Sequence, residues 1–277
     1  TTHLFVTILT EKNKPEMAEK WFDLTLRKSI FDKKRVKIIA TRFLKQLNDY
    51  NDDGNSVCRA ILNQLTYKST CNINISSFSR QQEFLKIILN NIEKTVKKLD
   101  IIRYILLNQV HFFISGHKSS SISHKLVWNT SHFVKPNPLC EMRMIQNFQR
   151  IDKPLVSTDS SFIMINTPCP TDRNAKVQAA LSVATKYLTM QEGPLWNGIR
   201  GPGLAYSYSL SSSIETGMTT FVLYRAARDE DALNESKQII NHIPKSISDI
   251  AINEAKSNII VSIIDSVSTE SQQASQQ

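Results

Sequence analysis

Two residues six positions apart carry the clearest chemistry in this sequence. They are Arg200 and Tyr206, within "EGPLWNGIRGPGLAYSYSLSSS" at 192–213. A guanidinium is always charged and presents a rigid fork of N–H donors. A phenol can donate to an oxygen that gains negative charge in a tetrahedral intermediate. Held side by side, the two groups would make a donor pair for carbonyl oxygens. The alternative is that Arg200 is a surface charge and Tyr206 a half-buried strand residue. Spacing alone leaves both open.

The surrounding residues say how such a pair would be positioned. Four of the chain's seven glycines lie between Gly193 and Gly203, with Pro194 and Pro202 among them. Upstream, Val177, Ala180, Leu181, Ala184 and Leu188 repeat at helical spacing, and Asp172 stands where an N-cap is expected. That helix should end at Met190. Gly193 is then expected at positive φ, with Pro194 opening a short helix anchored by Leu195, Trp196 and Ile199. Gly201-Pro202-Gly203 would turn the chain into a strand. Arg200 would thus close a helix and Tyr206 would open a strand. "LAYSYSLSSS" and "GMTTFVLYRAA" read as an antiparallel pair, with Tyr206, Tyr208 and Leu210 on one face.

Elsewhere, "HLFVTIL" (3–9), "VHFFISG" (110–116) and "SSFIMINTPCP" (160–170) read as β runs. Helices are expected over Lys14–Phe31, around Val36–Leu47, over Val57–Tyr67 and in one piece from Arg80 to Leu107. Two more are expected over Asp229–His242 and Ile247–Val267. "STCNINISSFS" looks like a polar connector, and 117–157 looks like a weakly patterned boundary. Strands joined partly by helices and partly by a hairpin place the chain in the α+β class. Its 277 residues suit two domains.

Composition excludes several classes. Apolar content of 41% and charged content of 21% describe a globular chain. No run approaches about 18 uninterrupted apolar residues, so no transmembrane helix is expected. Cys58, Cys71, Cys140 and Cys169 are scattered without C-x-x-C spacing, which reads as reduced structural thiols. The net charge of +9 is concentrated early: residues 1–125 hold 21 Lys and Arg against 11 Asp and Glu. These lysines fall along amphipathic helices as solvated faces. No aromatic stacking platform accompanies them, which weighs against a nucleic-acid partner.

The words "EGPLWNGIRGPGLAYSYSL", then Glu215-Thr216-Gly217 and "FVLYRAARDED", resemble the pitrilysin/insulinase family of zinc metallopeptidases. The likeness is greatest to the presequence-protease branch and its eukaryotic cytoplasmic relatives. It is strong around 185–240; "DDGNSVCRAILNQLTY" is looser. The resemblance implies two metallopeptidase-type α/β sandwich domains, each an antiparallel-rich sheet with helices on one face. Residues 1–125 would be the later part of the third family domain and 126–277 the fourth, both incomplete. It implies that Arg200 and Tyr206 bind peptide substrate from the wall opposite the metal. Zinc in such enzymes is held through His-x-x-Glu-His. The six histidines here, His3, His111, His117, His124, His132 and His242, never form that motif. The expectation is therefore a substrate-binding C-terminal half of a zinc metalloendopeptidase. It would have no metal ligands of its own and would be inactive without an N-terminal catalytic half. The alternative is a non-catalytic scaffold of the same fold. By the same resemblance the compartment is the cytoplasm, with the mitochondrial matrix as the alternative.

Overall fold

The computed structural model describes residues 16–107, 149–171, 174–213, 216–244 and 246–268, with 8, 10, 11 and 14. The β runs at 3–9 and 110–116, the N-cap assigned to Asp172, Cys140 and all histidines but His242 lie outside the described residues. The chain forms two compact units. One contains the described residues of Thr1–Leu44, Glu83–Pro136 and Ile263–Gln277, the other those of Lys45–Gln82 and Asn137–Ser262. Packing thus groups residues 45–82 with the second half of the chain, whereas the division drawn along the sequence placed them with the first. The fold is α+β.

The first unit is helical in its described residues. Helix α1 (Glu16–Asp23) runs into a π turn at Leu24–Lys28, followed by α2 (Lys33–Asp49), whose last turn belongs to the second unit. The single helix expected over Arg80–Leu107 is two, α5 (Phe78–Asn90) and α6 (Ile92–Leu107). Asn91 separates them; its side chain donates to the Ile87 carbonyl, competing with the helical ladder. Arg103 of α6 donates to the Ser29 carbonyl and lies 4.8 Å from the Phe31 ring centre, which fixes the segment after the π turn. The helical periodicity did not translate into burial here. Of the α2 stripe, Ala40 is buried while Ile39 and Phe43 are exposed, as is Trp21 of α1.

The second unit holds the sheet. Strands β1 (Ser161–Pro168), β2 (Ala205–Ser213) and β3 (Met218–Ala226) lie in the order β1-β3-β2, all neighbours antiparallel. Strands β1 and β2 are consequently parallel, joined by helix α7 (Ala175–Thr189) and split by β3. This is a split β-α-β unit closed by a hairpin. The hairpin turn uses Gly217 at φ 65°, a left-handed position that favours glycine. Ile163, Ile165, Phe221, Leu223, Tyr208 and Leu210 project from one side. They meet Leu188 of α7 and Ala232, Leu233 and Ile239 of α8 (Asp229–Asn241). Helix α9 (Asp249–Ser266) follows.

Phe162 and Asn166 project from the other side of β1, and helix α3 (Gly54–Thr66) packs there. Asp53 caps it by accepting from the Ser56 backbone N–H at 2.9 Å. A Cβ on Gly54 would fall 2.3 Å from the Phe162 ring, so only glycine permits this approach. The Cys58 thiol donates to the Phe162 carbonyl at 3.6 Å, and burial pushes that thiol's pKa up. Farther along, the Asn166 amide donates to Thr66 Oγ1 at 2.8 Å, while Thr220 donates to Asn166 Oδ1 at 2.6 Å. The expected polar connector beyond α3 contains the short helix α4 (Asn72–Ile75). Its Asn74 is buried and donates to the carbonyls of Tyr67 and Lys68.

Asn166→Ala should destabilise the chain by about 1–3 kcal/mol, because it removes both side-chain bonds of a partly buried relay and leaves the buried Thr66 hydroxyl without its donor. Urea unfolding followed by circular dichroism would measure it. A midpoint equal to wild type would show that the relay contributes nothing.

Candidate functional site

Helix α7 ends at Met190, whose N–H bonds to the Lys186 carbonyl. Its N-cap is Asn174, which accepts from the Lys176 N–H at 2.9 Å. The left-handed residue after the helix is Glu192, at φ 61°, not Gly193 as the sequence suggested. Gly193 is needed for space instead. A Cβ there would sit 2.7 Å from the Tyr187 carbonyl oxygen and 2.8 Å from that of Met190.

The short helix expected after Pro194 is a π turn at Trp196–Arg200. Its wider winding shows in two bonds: Gly201 N–H to the Trp196 carbonyl and Leu204 N–H to the Ile199 carbonyl, both 2.9 Å. Leu195 and Ile199, one helical turn apart, are fully buried in the core. Gly198 faces α8, where a Cβ would meet Ile239 Cδ1 at 2.5 Å. With those positions turned inward, Arg200 faces solvent. It lies over Trp196, four residues back, with its guanidinium carbon 5.9 Å from that ring centre. Gly203, at φ 73°, then reverses the chain into β2.

Arg200 and Tyr206 are brought together. The Arg200 guanidinium donates to the Tyr206 backbone carbonyl and stands 4.9 Å from the centre of the Tyr206 ring. Tyr206 is 63% exposed. The expected shared face of Tyr206, Tyr208 and Leu210 divides: Tyr208 and Leu210 pack against the core, while Tyr206 stands in solvent beneath Arg200. Burial pushes the Tyr208 phenol above the usual tyrosine range, and the Arg200 charge pulls it partly back.

Sequence reasoning quoted Tyr224 and Arg225 but gave them no place at the site. Tyr224 stacks edge-on to Tyr206, with ring centres 6.3 Å apart, and Arg225 sits over Tyr224 at 5.5 Å. Only pairing across the β2–β3 hairpin reveals this neighbourhood. Among the described residues no group of three or more His, Cys, Asp or Glu side chains is placed to hold a metal ion. His242, the one described histidine, contacts the Gln238 carbonyl through Nδ1 at 2.9 Å. Zinc therefore has no fitting ligand set among the described residues. No helix among them is long and apolar enough to cross a membrane.

Removing the Arg200 charge should move Tyr208 ionisation to still higher pH. Alkaline titration of Arg200→Ala, followed by tyrosinate absorbance and compared with Tyr208→Phe, reads this shift. The folded-state value is raised, so the neutral phenol's contribution to stability is complete below the unfolded value, about 10. It is lost as pH climbs through the folded value. Gly203→Ala, which meets no neighbour but requires φ 73°, should cost about 1 kcal/mol in thermal or urea unfolding.

No family model matches the chain. It is similar to an uncharacterized protein of Saccharomyces cerevisiae, 26% identical over 249 residues, or 79% of this chain and 24% of that protein. An uncharacterized protein of Caenorhabditis elegans is 24% identical over 252 residues, or 84% of this chain and 25% of that protein. One of Schizosaccharomyces pombe is 26% identical over 90 residues, or 32% of this chain and 9% of that protein. The chain thus spans about a quarter of the length of the first two relatives.

Proposed function

We propose that this chain is the peptide-binding, C-terminal half of a zinc metalloendopeptidase, in which Arg200 and Tyr206 hold substrate carbonyls. The observation that supports it is the adjacency of an exposed guanidinium and an exposed phenol on a rigidly anchored turn. One Arg200 N–H is committed to the Tyr206 carbonyl, which presets the direction of the fork. A guanidinium carries five donors, so others stay available to a ligand. Among the described residues nothing hydrogen-bonds the Tyr206 hydroxyl. An extended peptide lying over the turn would meet both donors. They would bind and polarise a carbonyl, with no charge to be developed by the protein itself. The reading assigns this chain no metal step. Zinc and the bond-breaking chemistry belong to a separate N-terminal catalytic half, as the resemblance implies.

A second reading, a non-catalytic scaffold, is favoured by the same bond. An arginine that staples its turn to the next strand needs no substrate to justify it. The two readings differ in what Arg200→Ala does. For the peptidase half, binding of a labelled unstructured peptide, read by fluorescence anisotropy, weakens in Arg200→Ala and Tyr206→Phe. With a catalytic half added, zinc-dependent cleavage falls by about 10²- to 10³-fold per donor removed. Unchanged affinity and cleavage in both variants, with a lower melting temperature for Arg200→Ala alone, would favour the scaffold.

A further inference from the structure

Arg225 occupies a conformation that arginine adopts only at a cost. Its φ is 52°, in the left-handed region. Such a position strains a bulky residue and is relieved by glycine. The cause is visible in the pairing of β3 with β1. Ser161 pairs with Ala226 but Ile163 pairs with Leu223, so β3 carries an extra residue at this point. A bulge of this kind re-aims the side chain it carries. Arg225 is exposed, and no carboxylate lies within ion-pair distance of it among the described residues. Among the described residues no ion pair holds a guanidinium there.

Its surroundings suggest a role for it. Phe162, Tyr224 and Tyr206 form a run of edge-to-face rings, with centres 5.2 and 6.3 Å apart. Arg225 rests on Tyr224, the middle ring, while Arg200 rests on Tyr206 at one end and on Trp196. Stacking against rings restricts both guanidiniums without neutralising them. Neither has a carboxylate partner among the described residues. Two charged forks flanking a pair of tyrosines are complementary to one negative group lying between them. On its other side Arg225 itself lines, with Phe162, an open depression of about 550 Å³ whose walls also carry Asp52, Asp53 and Asp159. The three aspartates disfavour a carboxylate inside that depression, so the favourable place for one is the side of Arg225 that faces Tyr224 and Arg200.

We propose that Arg225 and Tyr224 extend the Arg200–Tyr206 pair into a specificity groove for an extended peptide that places an internal Glu or Asp side chain between the two guanidiniums. This rests on the peptide-binding reading of Arg200 and Tyr206. In it, Arg200 and Tyr206 hold the peptide backbone, and Arg225 selects the side chain.

The test uses two labelled, unstructured peptides of equal length, identical except for one central Glu or Gln. Wild-type protein should bind the Glu peptide about two- to fivefold more tightly, the upper part of the range for an exposed charge pair. Raised salt should narrow the difference. Arg225→Gln should bind both peptides equally, with an affinity near that of wild type for the Gln peptide. Arg225→Gly relieves the backbone strain, so it should melt no lower than wild type and lose the same preference. Equal binding of the two peptides by wild type, or a preference that survives either substitution, overturns the specificity role while leaving peptide binding intact. Failure to bind either peptide overturns the peptide-binding reading and this inference with it. Tighter binding of a single-stranded oligonucleotide than of the Glu peptide would assign the strip to nucleic acid and overturn it as well.

Discussion

Burial of Leu195 and Ile199 is the constraint from which the site follows. Each is fully removed from water beneath β3 and α8. Burying a leucine or isoleucine stabilises by about 1.5–3 kcal/mol. Side chains four apart on a helical turn share a face, so the pair fixes the turn's rotation as well as its position. Once that rotation is set, Arg200 has only the outer side available. The Leu204 N–H bond back to the Ile199 carbonyl then brings the chain round. Ala227 N–H bonds to the Leu204 carbonyl at 3.0 Å and ties the start of β2 to the end of β3. Tyr206, two residues beyond Leu204, then lies beneath Arg200.

A second set of contacts determines which parts of the chain belong together. Asn166 joins β1 to α3 and to β3 at once, across 100 residues of sequence to Thr66 and 54 to Thr220. Its amide has one donor and one acceptor engaged with two hydroxyls, an arrangement that neither threonine could make alone. Gly54 allows the helix to approach Phe162 at the other end of the same strand. These contacts explain why residues 45–82 pack with the sheet although they follow the helices of the first unit in sequence. They also make the unit dependent on long-range contacts, since the Thr66–Asn166 bond alone spans 100 residues of sequence.

The site and the sheet share their most constrained residues. The hairpin that places Tyr206 beside Tyr224 also carries the bulge at Arg225, and the glycines near the site serve two different ends. Gly203 supplies a backbone conformation, whereas Gly193 and Gly198 supply room for a carbonyl and for Ile239. A surface of two arginines resting on aromatic rings is thus built on a turn and a bulge whose shapes are set by the core beneath. The relatives in yeast and worm share about a quarter of their length with this chain.

The sequence alone determined the α+β class, because apolar residues repeat at helical spacing in some segments and at strand spacing in others. It determined the β2–β3 hairpin, the extents of α2, α3, α7 and α8 to within a few residues, and the burial of Leu195 and Ile199. It also placed Arg200 at a helix end and Tyr206 at a strand start, since proline and glycine mark those boundaries locally. Tertiary structure decided what local pattern does not encode. The break at Asn91, the role of Glu192 as the left-handed residue and the exposure of Ile39 and Phe43 depend on which neighbours are present. So does the division of Tyr206 from Tyr208. The approach of Tyr224 and Arg225 to the site depends on strand register, and register is a relation between segments. A single segment read by itself carries its own periodicity but not the identity of the residue that will lie across from it.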